Sequence, residues 1–170
     1  VLDFAGTGHS FSFTGTPLTL AMAALEGGLL EAKTDLVLDV FGLVSGSGTF
    51  AFKKANGTFY LDAAGTSSFT ADYVAISGSM ASAFVGVGSL GLSLTTVDLG
   101  ILLVSDGTIQ YSAISASVGS ATFTGIAGLS ATATNTSLRI NRTDKVGEPN
   151  AVLDFAGTGH SFSFSGTPLT

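Results

Sequence analysis

Apolar residues alternate with small or polar ones along most of this chain. His9–Phe13 (HSFSF), Thr49–Lys53 (TFAFK), Thr58–Asp62 (TFYLD), Ser89–Leu94 and Thr136–Asn141 (TSLRIN) all repeat with a period of two, the spacing of side chains on opposite faces of a β-strand. This places Phe11 with Phe13, Phe50 with Phe52, and Leu138 with Ile140 on one face each, opposite Ser, Thr, Ala or Lys. Leu99–Val104 (LGILLV) is apolar on both phases and predicts a strand covered on both sides. Asn56-Gly57 and Asp106-Gly107 supply the residue types of type I′ turns, so each predicts a hairpin. Thr16–Lys33 leaves two readings open. Pro17 and good helix formers favour a short helix at Leu18–Glu26 stopped by Gly27-Gly28, whereas the alternating neighbours favour the strand adopted here. Thr143–Asn150 (TDKVGEPN) gathers charge, Gly147 and Pro149 and predicts a loop.

The pattern repeats at two scales. VLDFAGTGHSFSFTGTPLT at Val1–Thr19 returns as VLDFAGTGHSFSFSGTPLT at Val152–Thr170, an offset of 151 with one difference, Thr14 against Ser165. Near-identity of that kind is the signature of a tandem array. Gly-Thr pairs at Gly6, Gly57, Gly107 and Gly157 are spaced by 51, 50 and 50 residues, which divides the unit into three. The reading is therefore one repeat unit at residues 1–151, with sub-repeats at 1–51, 52–101 and 102–151, and the start of the next unit at 152–170. A second likeness joins YVAISGSMASAFVGVGSL from Tyr73 to YSAISASVGSATFTGIAGL from Tyr111, which does not keep the hairpin spacing.

Composition narrows what such a chain can do. With 45% hydrophobic residues over 170 positions it can fill a core, yet only 11% are charged, so solubility rests on hydroxyls and backbone. A net charge of −6 with six Lys and Arg leaves no basic stripe for nucleic acid or for an anionic membrane surface. No apolar run is long enough for a membrane helix, and membrane insertion is not expected. The absence of cysteine removes disulfides and thiolate metal sites.

Candidate chemistry is sparse. The nine Asp, at 3, 35, 39, 62, 72, 98, 106, 144 and 154, are scattered and form neither a β-roll nor an EF-hand pattern, whereas calcium wants six or more oxygens. Asp39 and Asp62 are the pair a sheet would bring together, with a turn cap or solvated face as the simpler account. His9 and its copy His160 are the only histidines, and a lone imidazole makes no mononuclear site. Ser77-Gly78-Ser79 has no neighbouring base for nucleophilic catalysis. Thr132, Thr134 and Thr136 form one short rank of hydroxyls. Sequons stand at Asn56, Asn135 and Asn141 as candidate glycan acceptors. No catalytic, cofactor-binding or metal-ligating residue is assigned; no cofactor is expected, a structural calcium ion being the alternative.

The segment Leu90–Glu148 has a recurrent grammar: the apolar strand Leu99–Val104, the turn Asp106-Gly107-Thr108, a Ser/Ala-rich strand, the connection Gly125–Leu129 (GIAGL), and a closing strand with Asn141-Arg142-Thr143. It resembles the repeat modules of very long bacterial surface proteins of the giant adhesin or haemagglutinin-like kind, clearly over this segment and loosely elsewhere. The resemblance implies an extracellular or cell-surface location and a spacer, fibre or adhesive role, with no catalytic residues to carry over. The expectation is an all-β module of hairpin-linked antiparallel strands, sandwich- or solenoid-like, in a tandem array. Its expected role is non-catalytic, in a filament built by end-to-end packing with neighbouring copies and side-by-side chains. The alternative is an adhesin repeat that binds a glycan or a host or neighbour-cell surface.

Overall fold

The computed structural model describes residues 28–157, 162–164 and 167–169. The chain runs as β1 (Leu30–Val40), β2 (Val44–Tyr60), β3 (Ser68–Val87), β4 (Leu90–Ser105), β5 (Gln110–Thr124) and β6 (Ala131–Thr143), then β7 (Phe162–Phe164) and β8 (Thr167–Leu169). The first six form one antiparallel sheet in sequence order, and the last two a separate hairpin. All described elements are strands. The six-stranded sheet is open, with no partner on the outer edges of β1 and β6 among the described residues. β3 has 20 residues, about 66 Å at the usual strand rise, so the sheet is far longer than an ordinary one.

Turn chemistry explains the meander. At residues 41–43 Phe41 and Gly42 take positive φ (53° and 66°), and Asp39 Oδ1 accepts the Gly42 N–H at 2.9 Å. Gly88, with φ 61°, opens a Gly-Ser turn between Val87 and Leu90, the residue order of a II′ hairpin. Asp106-Gly107 forms the expected turn, with Gly107 at φ 94°. Asn56-Gly57 does not: both lie inside β2, paired with Asp72 and Ala71. Gly57 serves there as a seat for an aromatic ring, since a Cβ on it would stand 3.2 Å from Tyr73 Cε1. A glycine under a cross-strand aromatic ring keeps the strand extended. The Gly-Thr period thus marks a strand interior at Gly57 and a turn at Gly107.

One face carries the core. Ala55, Phe59, Ala71, Tyr73, Ala75, Leu102, Val104, Tyr111 and Ala113 are buried together, and they alternate along β2 to β5 as a period of two requires. Across the strands they form rungs: Ala55, Tyr73, Val104 and Tyr111 are successive register partners, as are Ala75, Leu102 and Ala113. The likeness between the Tyr73 and Tyr111 segments has this origin. β3 and β5 run in the same direction on either side of β4 and bring Tyr73 and Tyr111 to one rung. The opposite face carries Phe52, Ile76, Ile101, Ile114 and Ile140 as a rung from β2 to β6. This face stays open among the described residues. Leu99–Val104 is accordingly covered on one side among the described residues, with Leu102 and Val104 buried while Leu103 is 45% exposed; of the expected cover on both sides, the described residues supply that of the core face.

A transverse irregularity divides the sheet. Gly48 pairs with Met80 but Ser47 with Ser82, leaving Ala81 as an extra residue. The ladders of β3 to β6 each skip the same line, at Ala81, Thr96, Gly119 and Asn135, where Thr96 and Asn135 take φ of 52°. Among the residues whose burial is described, every fully buried one in the sheet lies on the β2–Tyr60 side of this line. On the other side Val85, Val87, Leu90 and Leu92 are exposed by 40% or more.

Thr49–Lys53 and Thr136–Asn141 are strand as expected, Ser89–Leu94 enters β4 at Leu90, and the loop after β6 falls at residues 144–150. Of Thr16–Lys33, residues 30–33 open β1, and Leu18–Glu26 lies outside the described residues.

Replacing Leu102, which is wholly buried, by Ala is expected to cost about 2–5 kcal/mol. Gly48→Ala is expected to cost about 1–3 kcal/mol, because its Cβ would meet the Ser79 carbonyl and stand 2.7 Å from Met80 Cγ. Urea denaturation of each variant checks both.

Candidate functional site

The core face is closed by the chain itself. After β6 a tight loop turns the backbone: Asp144 Oδ1 accepts the Gln110 N–H at 2.7 Å, while Asp144 N–H donates to Gln110 O. Lys145 Nζ donates to Glu148 Oε2 at 2.7 Å, which holds the Lys145 ammonium above its ordinary pKa. Ala151 N–H then donates to Glu148 O at 3.0 Å, and residues 152–157 cross the sheet.

This returning segment is held by both far strands. Asp154 N–H donates to the Tyr60 carbonyl at the end of β2 (2.8 Å), and Asn141 Nδ2 on β6 donates to the Leu153 carbonyl (2.6 Å). Leu153, 2% exposed, joins the core cluster, with Phe155 and Phe162 packed against it. Asp154 Oδ1 accepts the N–H groups of Ala156 and Gly157 at 3.0 and 3.1 Å, and so turns the chain towards the β7–β8 hairpin, which lies against β3, β4 and β5.

Aromatic packing gives the seat its shape. Phe162 stacks edge-on to Tyr73 with centroids 5.2 Å apart and lies 6.4 Å from Phe59. Phe59 meets Tyr73 edge-on at 5.7 Å and Phe69 at 6.0 Å, and Phe69 lies 5.1 Å from Tyr111. Edge-to-face pairs at these separations add to area burial. Burial pushes the Tyr111 phenol above its usual pKa. A cavity of about 440 Å³ remains beside the segment, lined by Ala113, Ser115, Arg139, Asn141, Leu153 and Phe155 among others.

A second hollow, of about 450 Å³, lies on the open face. Its floor and walls follow one rung, Lys54, Val74, Leu103, Ser112 and Arg142, with Asp72 and Asp144 at its rim. An apolar floor between two cations suits a ligand with a flat apolar surface and acidic or hydroxylated ends.

The candidates from the sequence are scattered over this frame. Asp39 and Asp62 do not meet: Asp39 pairs with Ser45 at one end of β2, and Asp62 follows the other end. Both cap turns, Asp62 through Thr66 and Ser67. Among the described residues no group of three or more His, Cys, Asp or Glu gathers to hold a metal ion. His9 and the whole Val1–Thr19 segment, like His160, lie outside the described residues. Ser77 is buried at 4% in mid-β3. Thr132, Thr134 and Thr136 stand on the exposed edge strand β6. Asn56 donates to Asp72 at 3.1 Å, Asn135 sits exposed at the kink, and Asn141 holds the returning segment. The seat escaped sequence reasoning because its residues are ordinary strand apolars. The signal that could have found it was the aromatic density of Phe59, Phe69, Tyr73 and Tyr111 against the repeated Leu and Phe of 152–162.

No family model, no curated protein and no solved structure matches this chain. Among the described residues no helix is long and apolar enough to cross a membrane.

Backbone N–H donors to Asp106 from Ile109 and Thr108 lower its pKa. Thr66, through its hydroxyl and then its N–H, does the same for Asp62. A carboxylate with a depressed folded-state pKa stabilises the fold above its unfolded pKa and loses that contribution as pH falls through the folded value. The melting temperature is therefore expected to fall on acidification below the ordinary carboxylate range. In the Asp62→Asn/Asp106→Asn variant that acid limb is expected to be shallower, as thermal melts across a pH series would measure.

Proposed function

We propose that this chain is a structural repeat of an extracellular or cell-surface filament, without catalytic activity, which acts through end-to-end packing of modules. The observation that carries the reading is the seating of Leu153, Asp154, Phe155 and Phe162, copies of Leu2, Asp3, Phe4 and Phe11, on the sheet built by residues 30–143. If residues 152–170 begin the next unit, each unit's first residues complete the core of the unit before it. Neighbouring units are then joined by a packed core as well as by the chain. The long strands and the low charge suit a spacer that sets distance. The apolar open face, with Leu103, Leu138 and Val85 exposed by 40% or more, suits contact with a neighbouring copy or a side-by-side chain.

Electron microscopy of native material tests this. Filaments with an axial repeat set by the 151-residue unit are expected, and removal of one unit should shorten them by one fixed step. Separate globular particles would remove the filament reading.

The hollow on the open face favours a second reading, an adhesin repeat that binds a glycan. Its apolar floor at Val74 and Leu103 and its cations Lys54 and Arg142 match a sugar face and an acidic substituent. On that reading Lys54→Ala/Arg142→Ala abolishes binding on a glycan array without lowering the melting temperature. Equal signals from both proteins would dismiss it.

A further inference from the structure

The seat on the core face holds four residues of the returning segment in described positions: Leu153, Phe155 and Phe162 by their side chains and Asp154 by its backbone N–H. All four recur at the same spacing as Leu2, Asp3, Phe4 and Phe11. The one difference between the two segments, Thr14 against Ser165, lies beyond these contacts. One chain therefore carries two copies of the segment and, among the described residues, one seat for it.

We infer that the seat is exchangeable, and that the Val1–Thr19 segment of a second copy of this chain docks in it through the counterparts of Leu153, Asp154, Phe155 and Phe162. The recognition needs nothing that the first copy lacks. Leu2 takes the buried place of Leu153 in the core cluster. The Asp3 N–H donates to the Tyr60 carbonyl, and the carbonyl of Leu2 accepts Asn141 Nδ2. Phe11 stands edge-on to Tyr73. The inference deepens the assembly reading above and rests on it, because it names the contact by which one module grips another. In a free chain the segment at 152–162 fills the seat at the high effective concentration of a tethered ligand, which keeps the seat closed to other copies until that segment is withdrawn. Exchange of such a segment between copies is a form of domain swapping.

The test uses the full chain with both segments disabled, Leu2→Asp/Phe4→Asp/Leu153→Asp/Phe155→Asp, and two synthetic peptides, VLDFAGTGHSFSFTGTPLT and VLDFAGTGHSFSFSGTPLT. Fluorescence anisotropy reads binding, and a thermal melt reads stability. Both peptides are expected to bind the variant saturably with similar affinity and to raise its melting temperature, or to restore a cooperative melt if the variant alone is unfolded. Binding to the unaltered chain should be at least roughly tenfold weaker because its seat is filled. A second arm uses Leu153→Asp/Phe155→Asp with the first segment intact. Sedimentation is expected to show concentration-dependent association that the added Leu2→Asp/Phe4→Asp removes.

The inference is overturned if only the second peptide binds, if neither binds or restores the melt, or if scrambled peptide binds equally. It is also overturned if association survives the loss of Leu2 and Phe4. Failure here leaves an axial repeat in native filaments to be explained by another contact. Exchangeable binding without filaments would instead keep the seat and dismiss the fibre.

Discussion

A single antiparallel sheet has two faces and no interior of its own, so its stability depends on what covers one of them. Here the covering comes from a short piece of chain. Among the described residues Leu153 is the only one outside the sheet that is fully buried with the core, and the peptide that follows it, through the Asp154 N–H and the Leu153 carbonyl, reaches β2 and β6. The aromatic side chains lie where that piece can reach them, and the alanines at 55, 71, 75 and 113 leave room for it. Without the segment, Tyr73, Phe59 and Tyr111 would face water across the sheet. The cost would follow the apolar area returned to solvent, about 25 cal/mol per Å².

The skipped rung from Ala81 to Asn135 separates two kinds of surface. On one side the core face is aromatic and covered. On the other, register partners Ser47, Ser82, Thr95, Ser120 and Thr134 make a rung of hydroxyls, and Val44, Val85, Leu92, Phe123 and Ala131 a neighbouring apolar rung. Val44 and Phe52 share the even-numbered positions of β2, so the open face is apolar along that strand from Val44 to Phe52, before Lys54. This distribution explains how a chain with so little charge stays patterned: hydroxyls occupy the core side where no segment covers it.

The strands and their faces were legible because a period of two is a strong local signal, as at Phe50 with Phe52 and Leu138 with Ile140. The turn at Asp106 was legible because its carboxylate caps the following N–H groups. Asn56-Gly57 carried the same local signal and misled, since the ring of Tyr73, sixteen residues on, decides the conformation of Gly57. The turn at Gly88-Ser89 hid inside a Gly/Ser-rich run. The one-sided cover of Leu99–Val104 and the seat itself depend on contacts between β2, β6 and residues 152–162, which no window of sequence contains.

The chain enters the sheet at Leu30 and leaves it at Thr143, both at the covered end, on opposite edges. A pull applied between those points acts across the strands, the direction in which a meander peels open one ladder at a time. Residues 153 and 154 span that direction as a strap from β6 to β2, so they share the load on the ladders between those strands, while β1 lies outside the strap and is held by its ladder to β2 alone. Under such a pull β1 would peel away first, and the strap would hold β2 to β6 together after it.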